Sequence, residues 1–162
     1  MNIFRRIAIV VALLAALLWL AGQLGLLAGT PLSDLGVHDG LLDRPSETTN
    51  SVSSQARLWP DHPQRAYADI APLALRGDGP TTIARLKSLM DSEPGARVIE
   101  SRNDYLYVQY TTRVLNFVDD VEFWFDPAAR VIQVRSASRV GRHDFGVNRQ
   151  RIEALRARLA SF

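Results

Sequence analysis

Val118-Asp119-Asp120-Val121-Glu122-Phe123-Trp124-Phe125, the turn Asp126-Pro127-Ala128-Ala129 and the run Arg130-Val131-Ile132-Gln133-Val134-Arg135-Ser136-Ala137 decide the fold. Both runs alternate with period two, the pattern of strands with one buried and one solvated face. Proline at the second of the four connecting residues fits a tight turn. Pairing Asp126 with Ala129 sets Val121 and Phe123 opposite Val134 and Ile132 on one face. Asp120 then opposes Arg135, and Glu122 opposes Gln133, on the other. The apolar side chains segregate completely, and a one-residue slip would invert them all. The polar side reads as solvent-exposed, where an ion pair contributes only about 0–1 kcal/mol. Asp119 points to the apolar side, opposite Ser136, and a carboxylate there needs a hydrogen-bonding partner.

Outward from this hairpin the remaining elements fall into place. Arg97–Arg102 and Tyr105–Thr112 flank Asn103-Asp104, a good hairpin turn. Asp78-Gly79-Pro80 opens a helical stretch in which Ile83, Leu86, Leu89 and Met90 recur at helix spacing, and Pro94-Gly95 closes it. Val147–Phe162 places Ile152, Leu155, Leu159 and Phe162 on one helical face, with Arg149, Arg151, Arg156 and Arg158 largely elsewhere. The expected architecture is α+β: a helix, a four-stranded antiparallel sheet, and a C-terminal helix packed on one face. Residues 30–63 are rich in Pro, Gly, Ser, Thr and Asp and read as an irregular arm with Trp59 docked on the domain.

Ile7 to Gly29 carries no charge and one strongly polar side chain, Gln23. Such a stretch crosses a hydrocarbon core of about 30 Å. It is longer than a secretory h-region, and no good small-x-small cleavage site follows it, so an uncleaved anchor is expected. Leu27-Ala28-Gly29-Thr30 has the shape of a lipobox, with Thr30 where the lipidated thiol would stand. Gly22 and Gly25 would permit close helix contact, although their spacing is not GxxxG. Arg5 and Arg6 precede the span and no basic residue follows before Arg44. The positive-inside rule then puts the N-terminus in the cytoplasm and the domain in the periplasm. The chain divides into an anchor (1–29), a linker (30–42) and one domain (43–162).

Charge and composition narrow the function. The net charge of +2 comes from Arg5 and Arg6, because 17 basic and 17 acidic residues follow from Thr30 onward. A neutral domain is a poor general nucleic-acid binder, since that affinity rests on neutralising phosphates. Within it, residues 130–162 hold 8 basic and 2 acidic groups, which suits pairing with the acidic remainder. The chain has no cysteine, which excludes disulfides, thiolate metal sites and a cysteine nucleophile. No GxSxG, HExxH, phosphate loop or EF-hand loop occurs. The three histidines each stand beside an acid, but adjacency in the chain does not make a metal centre, and neither metal nor cofactor is expected.

One polar constellation stands out. Asp119, Asp120 and Glu122 precede the dense stretch Arg135-Ser136-Ala137-Ser138-Arg139, which continues through Asp144 and Asn148-Arg149. Guanidinium forks here suit a carboxylate or phosphate. The same groups equally suit a strand-to-helix connection locked by salt bridges to the acidic strand. Asp144 or Asn148 is placed to cap the last helix. A serine nucleophile would need His143 as its base.

Three blocks carry a family resemblance. They are Asn50-Ser51-Val52-Ser53-Ser54-Gln55, Phe117-Val118-Asp119-Asp120-Val121-Glu122-Phe123, and Arg135-Ser136-Ala137-Ser138-Arg139 with Gly141, Asp144, Gly146, Asn148 and Arg149 at their spacing. The sequence resembles, from about Leu42 to Leu159, a bacterial and plastid family catalogued as domain of unknown function 1499. Members often carry Cys-Pro-x-x-Pro-Asn-Cys-Val-Ser-Ser in the arm, where this chain has Ser51 at the second cysteine and none at the first. The resemblance implies membrane or envelope association and no particular activity. It also implies that Asn50–Gln55 belongs to the folded domain. The expectation is a binding or accessory domain held at the cytoplasmic membrane through residues 7–29, with an envelope protein as partner. The alternative is a small anionic-ligand-binding or hydrolytic domain built on the Asp/Glu and Arg/Ser cluster.

Overall fold

The computed structural model describes residues 2–32 and 35–162; Ser33 and Asp34 of the expected linker lie outside the described residues. The fold is a mixed helix–sheet domain behind one apolar helix. That helix, α1 (Ile3–Gln23), is long and apolar enough to cross a membrane. It stops six residues before Gly29. The following chain turns back, with Leu26 N–H bonded to Ala21 O and Gly25 φ at +74°.

The remaining elements are β1 (Ser51–Ser53), a 3₁₀ turn (Ala56–Leu58), α2 (Arg65–Ala68), β2 (Leu73–Ala74) and α3 (Gly79–Asp91). They are followed by β3 (Ala96–Ser101), β4 (Tyr105–Thr111), β5 (Val118–Asp126), β6 (Val131–Ser138) and α4 (Val147–Ala160). The sheet has six strands, not the four expected. The order is β1-β6-β5-β4-β3, and β2 also pairs with β6. The two additional strands come from the arm and from the approach to α3. At three and two residues they are too short to show a period.

The signals for both domain helices are met, except that α4 ends at Ala160 and Phe162, expected on its buried face, lies beyond it and is exposed. The Asp78 side chain accepts from Thr81 N–H at the start of α3, with proline in the first turn. Asn103-Asp104 forms the predicted two-residue turn, closed by Arg102 N–H bonding Tyr105 O. The β5–β6 register needs correction by two residues: Asp126 pairs with Val131, Glu122 with Arg135 and Asp119 with Ser138. The loop is longer because Asp126 Oδ1 accepts from both Ala128 and Ala129 N–H, and Arg130 then closes the turn at φ +55°. A two-residue shift changes partners but not faces, so the segregation of side chains survives.

α3 and α4 cover one face of the sheet. Leu86, Leu106, Val121, Phe123, Val134 and Ile152 form the centre of that core, all fully buried. The opposite face, expected to be exposed, is covered by the arm. Leu35, Val37 and Leu42 pack with Tyr105, Tyr107 and Trp124, so part of the expected linker is a structural layer. Gln55, buried beneath it, ties the arm to itself: its Oε1 accepts from Leu42 N–H and its Nε2 donates to Gly40 O. Trp59 is half-buried.

Gly95 joins α3 to β3 at φ +82°, and a Cβ there would stand 2.6 Å from Thr111 O. Neither the backbone conformation nor the space admits a side chain. Gly95→Ala is expected to destabilise the domain by about 1–3 kcal/mol, read as a lowered Tm of the purified chain in mild detergent.

Candidate functional site

The polar cluster singled out in the sequence is not one site. β5 sends Asp119 to the helix-covered face and Asp120 and Glu122 to the arm-covered face, and two separate networks form.

On the arm side the acids meet arginine and tyrosine. Asp120, with none of its surface exposed, receives Arg139 Nε at 2.8 Å and Nη2 at 2.7 Å, a two-pronged charge-assisted pair. Tyr107 donates to Asp120 at 2.6 Å. Glu122, equally buried, accepts from the Tyr105 hydroxyl and from Gly36 N–H of the arm, both at 2.7 Å. Arg135 lies between Glu122 and Asp43 at 3.5 Å to each and also reaches Arg44 O. Burial pushes the Glu122 carboxyl above the ordinary carboxylate range, and Arg135, the Gly36 N–H and the Tyr105 hydroxyl offset this only in part. The hydrogen bonds to Asp120 raise Arg139 further. Burial, reinforced by the neighbouring carboxylates, raises Tyr105 and Tyr107, so both phenols stay protonated donors.

On the helix side Asn148 is the hub, fully buried in the first turn of α4. Its Nδ2 donates to Asn50 O, Ser138 Oγ and Asp144 Oδ2 at 3.1, 3.0 and 2.8 Å. Its Oδ1 accepts from Ser136 Oγ at 2.5 Å and Arg151 Nη1 at 2.7 Å. Arg151 continues to Asp119 at 2.5 Å, supplying the partner that this inward carboxylate required, and stacks over the Tyr110 ring at 4.5 Å. Burial drives the Tyr110 phenol up to about 12. Asp144 caps α4 from two residues before its Gly146 N-cap, accepting from Gly146 and Asn148 N–H and from the Tyr67 hydroxyl. Arg149 turns away to the carbonyls of Tyr67 and Asp69.

The structure thus unites Asp120 with Arg139, Glu122 with Arg135, and Asp119, Ser136, Ser138, Asp144 and Asn148 with one another. It does not join the two groups. Ser136 and Ser138 are engaged by Asn148, whereas His143 pairs with Thr49 through its Nδ1, so neither of these serines forms a dyad with His143. Among the described residues no three His, Asp or Glu side chains converge as metal ligands. Sequence reasoning missed Tyr105, Tyr107, Asp43, Asn50, Tyr67 and Arg151. Tyr105 and Tyr107 were legible in principle: alternation from the predicted turn places them on the strand face of Glu122 and Asp120.

The pairs are buried, so the estimate of about 0–1 kcal/mol for an exposed pair does not apply to them. Removing one member strands its partner in a poorly solvated layer. Arg139→Ala is expected to cost about 3–5 kcal/mol, a fall in Tm of roughly 10 °C. Arg139→Lys should recover part of it, because a lysine keeps the charge but loses the fork.

Burial works against the Asp144 charge, but the Tyr67 hydroxyl and the Gly146 and Asn148 donors outweigh it and hold the carboxyl below its usual range. A depressed carboxyl contributes stability above its unfolded value of about 3.9 and loses it as pH falls through the lower folded value. Asp144→Asn should therefore be less stable than wild type at neutral pH. The gap should narrow below about pH 4, measured by urea titrations across pH.

A model of a family described as protein of unknown function (DUF1499) matches residues 42–159, and the chain belongs to that family. No curated protein and no solved structure matches it.

Proposed function

We propose that this family member is a single-pass protein of the bacterial cytoplasmic membrane. Its N-terminus lies inside, and its domain serves in the periplasm as a binding or accessory module of the cell envelope, with a protein partner. The observation that carries the non-enzymatic reading is the closure of the polar cluster. A general acid or base must reach substrate within hydrogen-bond distance. Asp120 and Glu122 are instead enclosed by Arg139, Arg135, two tyrosines and the arm. Use of the same groups for an anionic ligand or hydrolysis would require those pairs to part.

α1 supports the anchor by its length and apolarity. Arg5 and Arg6 at its start, with no basic residue until Arg44, support the orientation. A periplasm-active reporter fused after Phe162 is expected to be active; activity of a cytoplasm-restricted reporter at that position would overturn the topology. In a deletion strain with an envelope phenotype, Arg139→Ala is expected to fail only in proportion to its lost folded protein. Failure at full abundance and unchanged Tm would instead assign the cluster to a ligand.

A further inference from the structure

α1 ends against the domain instead of in a free tether. Gly22 lies so close to the β4–β5 loop that a Cβ would stand 2.6 Å from Leu115 O. Asn116 Nδ2 donates to Gly22 O at 3.2 Å, and Gln23 Nε2 donates to Val114 O at 3.3 Å. The turn that follows brings Gly29 against Arg139 and Val140 at the end of β6, where a Cβ would come within 2.7 Å of both side chains. The root of the helix is therefore gripped between two loops at one end of the sheet.

Several outward side chains of this end are apolar. Val114 and Val140 are exposed, and Phe145 is 91 % exposed although it holds φ +54°, a conformation bulky residues rarely adopt. Leu24 and Leu26 continue the patch from the helix itself. A hollow of about 270 Å³ opens among Phe117, Val140, Phe145 and Val147. Arg113 and Arg142 lie exposed on the same two loops, and among the described residues neither has a carboxylate partner.

Helix length points the same way. Setting aside Ile3 to Arg6 leaves 17 of the 21 residues of α1 without charge, about 25 Å at ~1.5 Å per residue. A hydrocarbon core is about 30 Å thick. The shortfall is met if Leu24 to Leu27 also sit in the bilayer, which draws the gripping loops down to its surface.

Taking the anchor as read above, we propose that this rim lies in the interface of the bilayer that α1 crosses. Leu24, Leu26, Val114, Val140 and Phe145 enter the boundary between headgroups and acyl chains, and Arg113 and Arg142 reach lipid phosphates. The domain is then seated on the membrane in one orientation.

The cysteine-free chain allows a clean test. Leu14→Cys, Val140→Cys, Phe145→Cys and Ala129→Cys are each labelled with an environment-sensitive nitrobenzoxadiazole. Each full-length chain is reconstituted at one copy per nanodisc of mixed zwitterionic and anionic phospholipid, and quenching by spin-labelled lipid is measured. Ala129 lies in the β5–β6 turn at the opposite end of β5 from the rim. Labels at 140 and 145 are expected to be quenched about threefold more than that at 129. Quenching at 14 with water-like labels at 140 and 145 would overturn the seated rim while keeping the anchor. A water-like label at 14 would overturn both. In a parallel preparation with two copies per disc, shielding of the rim there but not in the single-copy discs would assign it to a second chain and overturn the lipid assignment. Far-UV circular dichroism shows that each variant is folded, and Val140→Cys stands independently of any change to the Phe145 backbone.

Discussion

A charged strand face that is covered must find its counter-charges inside the same layer. This constraint shapes the domain. Asp120 and Glu122 are fully buried, and an isolated carboxylate in such a place would be untenable. Arg139 and Arg135 answer them from the neighbouring strand and its end, while Tyr107 and Tyr105 answer from the strand on the other side. The arm completes the set with Gly36 N–H and Asp43. Pairs of this kind are weak sources of net stability compared with apolar replacements, but breaking one is costly. Through Gly36 N–H and Asp43 they tie the arm to the charged face of the sheet.

The second network does the same for the other face. Asn148 holds the start of α4, the end of β6 and the residue before β1 in one set of hydrogen bonds. Asp119 and Asp120 are neighbours in sequence, yet they serve opposite sides of the sheet through Arg151 and Arg139. The family match, residues 42–159, spans the strand and helix residues of both networks and takes in Leu42 and Asp43 of the arm, while Leu35, Gly36 and Val37 lie before it. The polar blocks that catch the eye in the sequence are largely buried and paired within these two networks.

Much of the fold was legible because periodicity and turn chemistry agree. Asn103-Asp104, the Asp78 cap and the alternation of β5 and β6 each signalled one element. The two-residue register error arose because the Asp126 side chain builds a longer turn than the Pro127 pattern alone suggests. The covered charged face was not legible. Alternating acids and apolar residues look the same whether the acids meet water or arginine, and the arm that decides between them has no period of its own. The same ambiguity made ten polar residues look like one site. Only the partition of β5 between two faces, which the alternation did contain, separates them.

Strand β6 pairs with β5 on one side and with both β1 and β2 on the other. The chain is synthesised from its N-terminus, so the arm, β1 and β2 emerge well before the strand that pairs with β1 and β2. The apolar helix α1 emerges first, and β1 and β2 have no sheet partner until β6 follows. A chain shortened before Val131 would therefore leave β1 and β2 without the strand that both pair with.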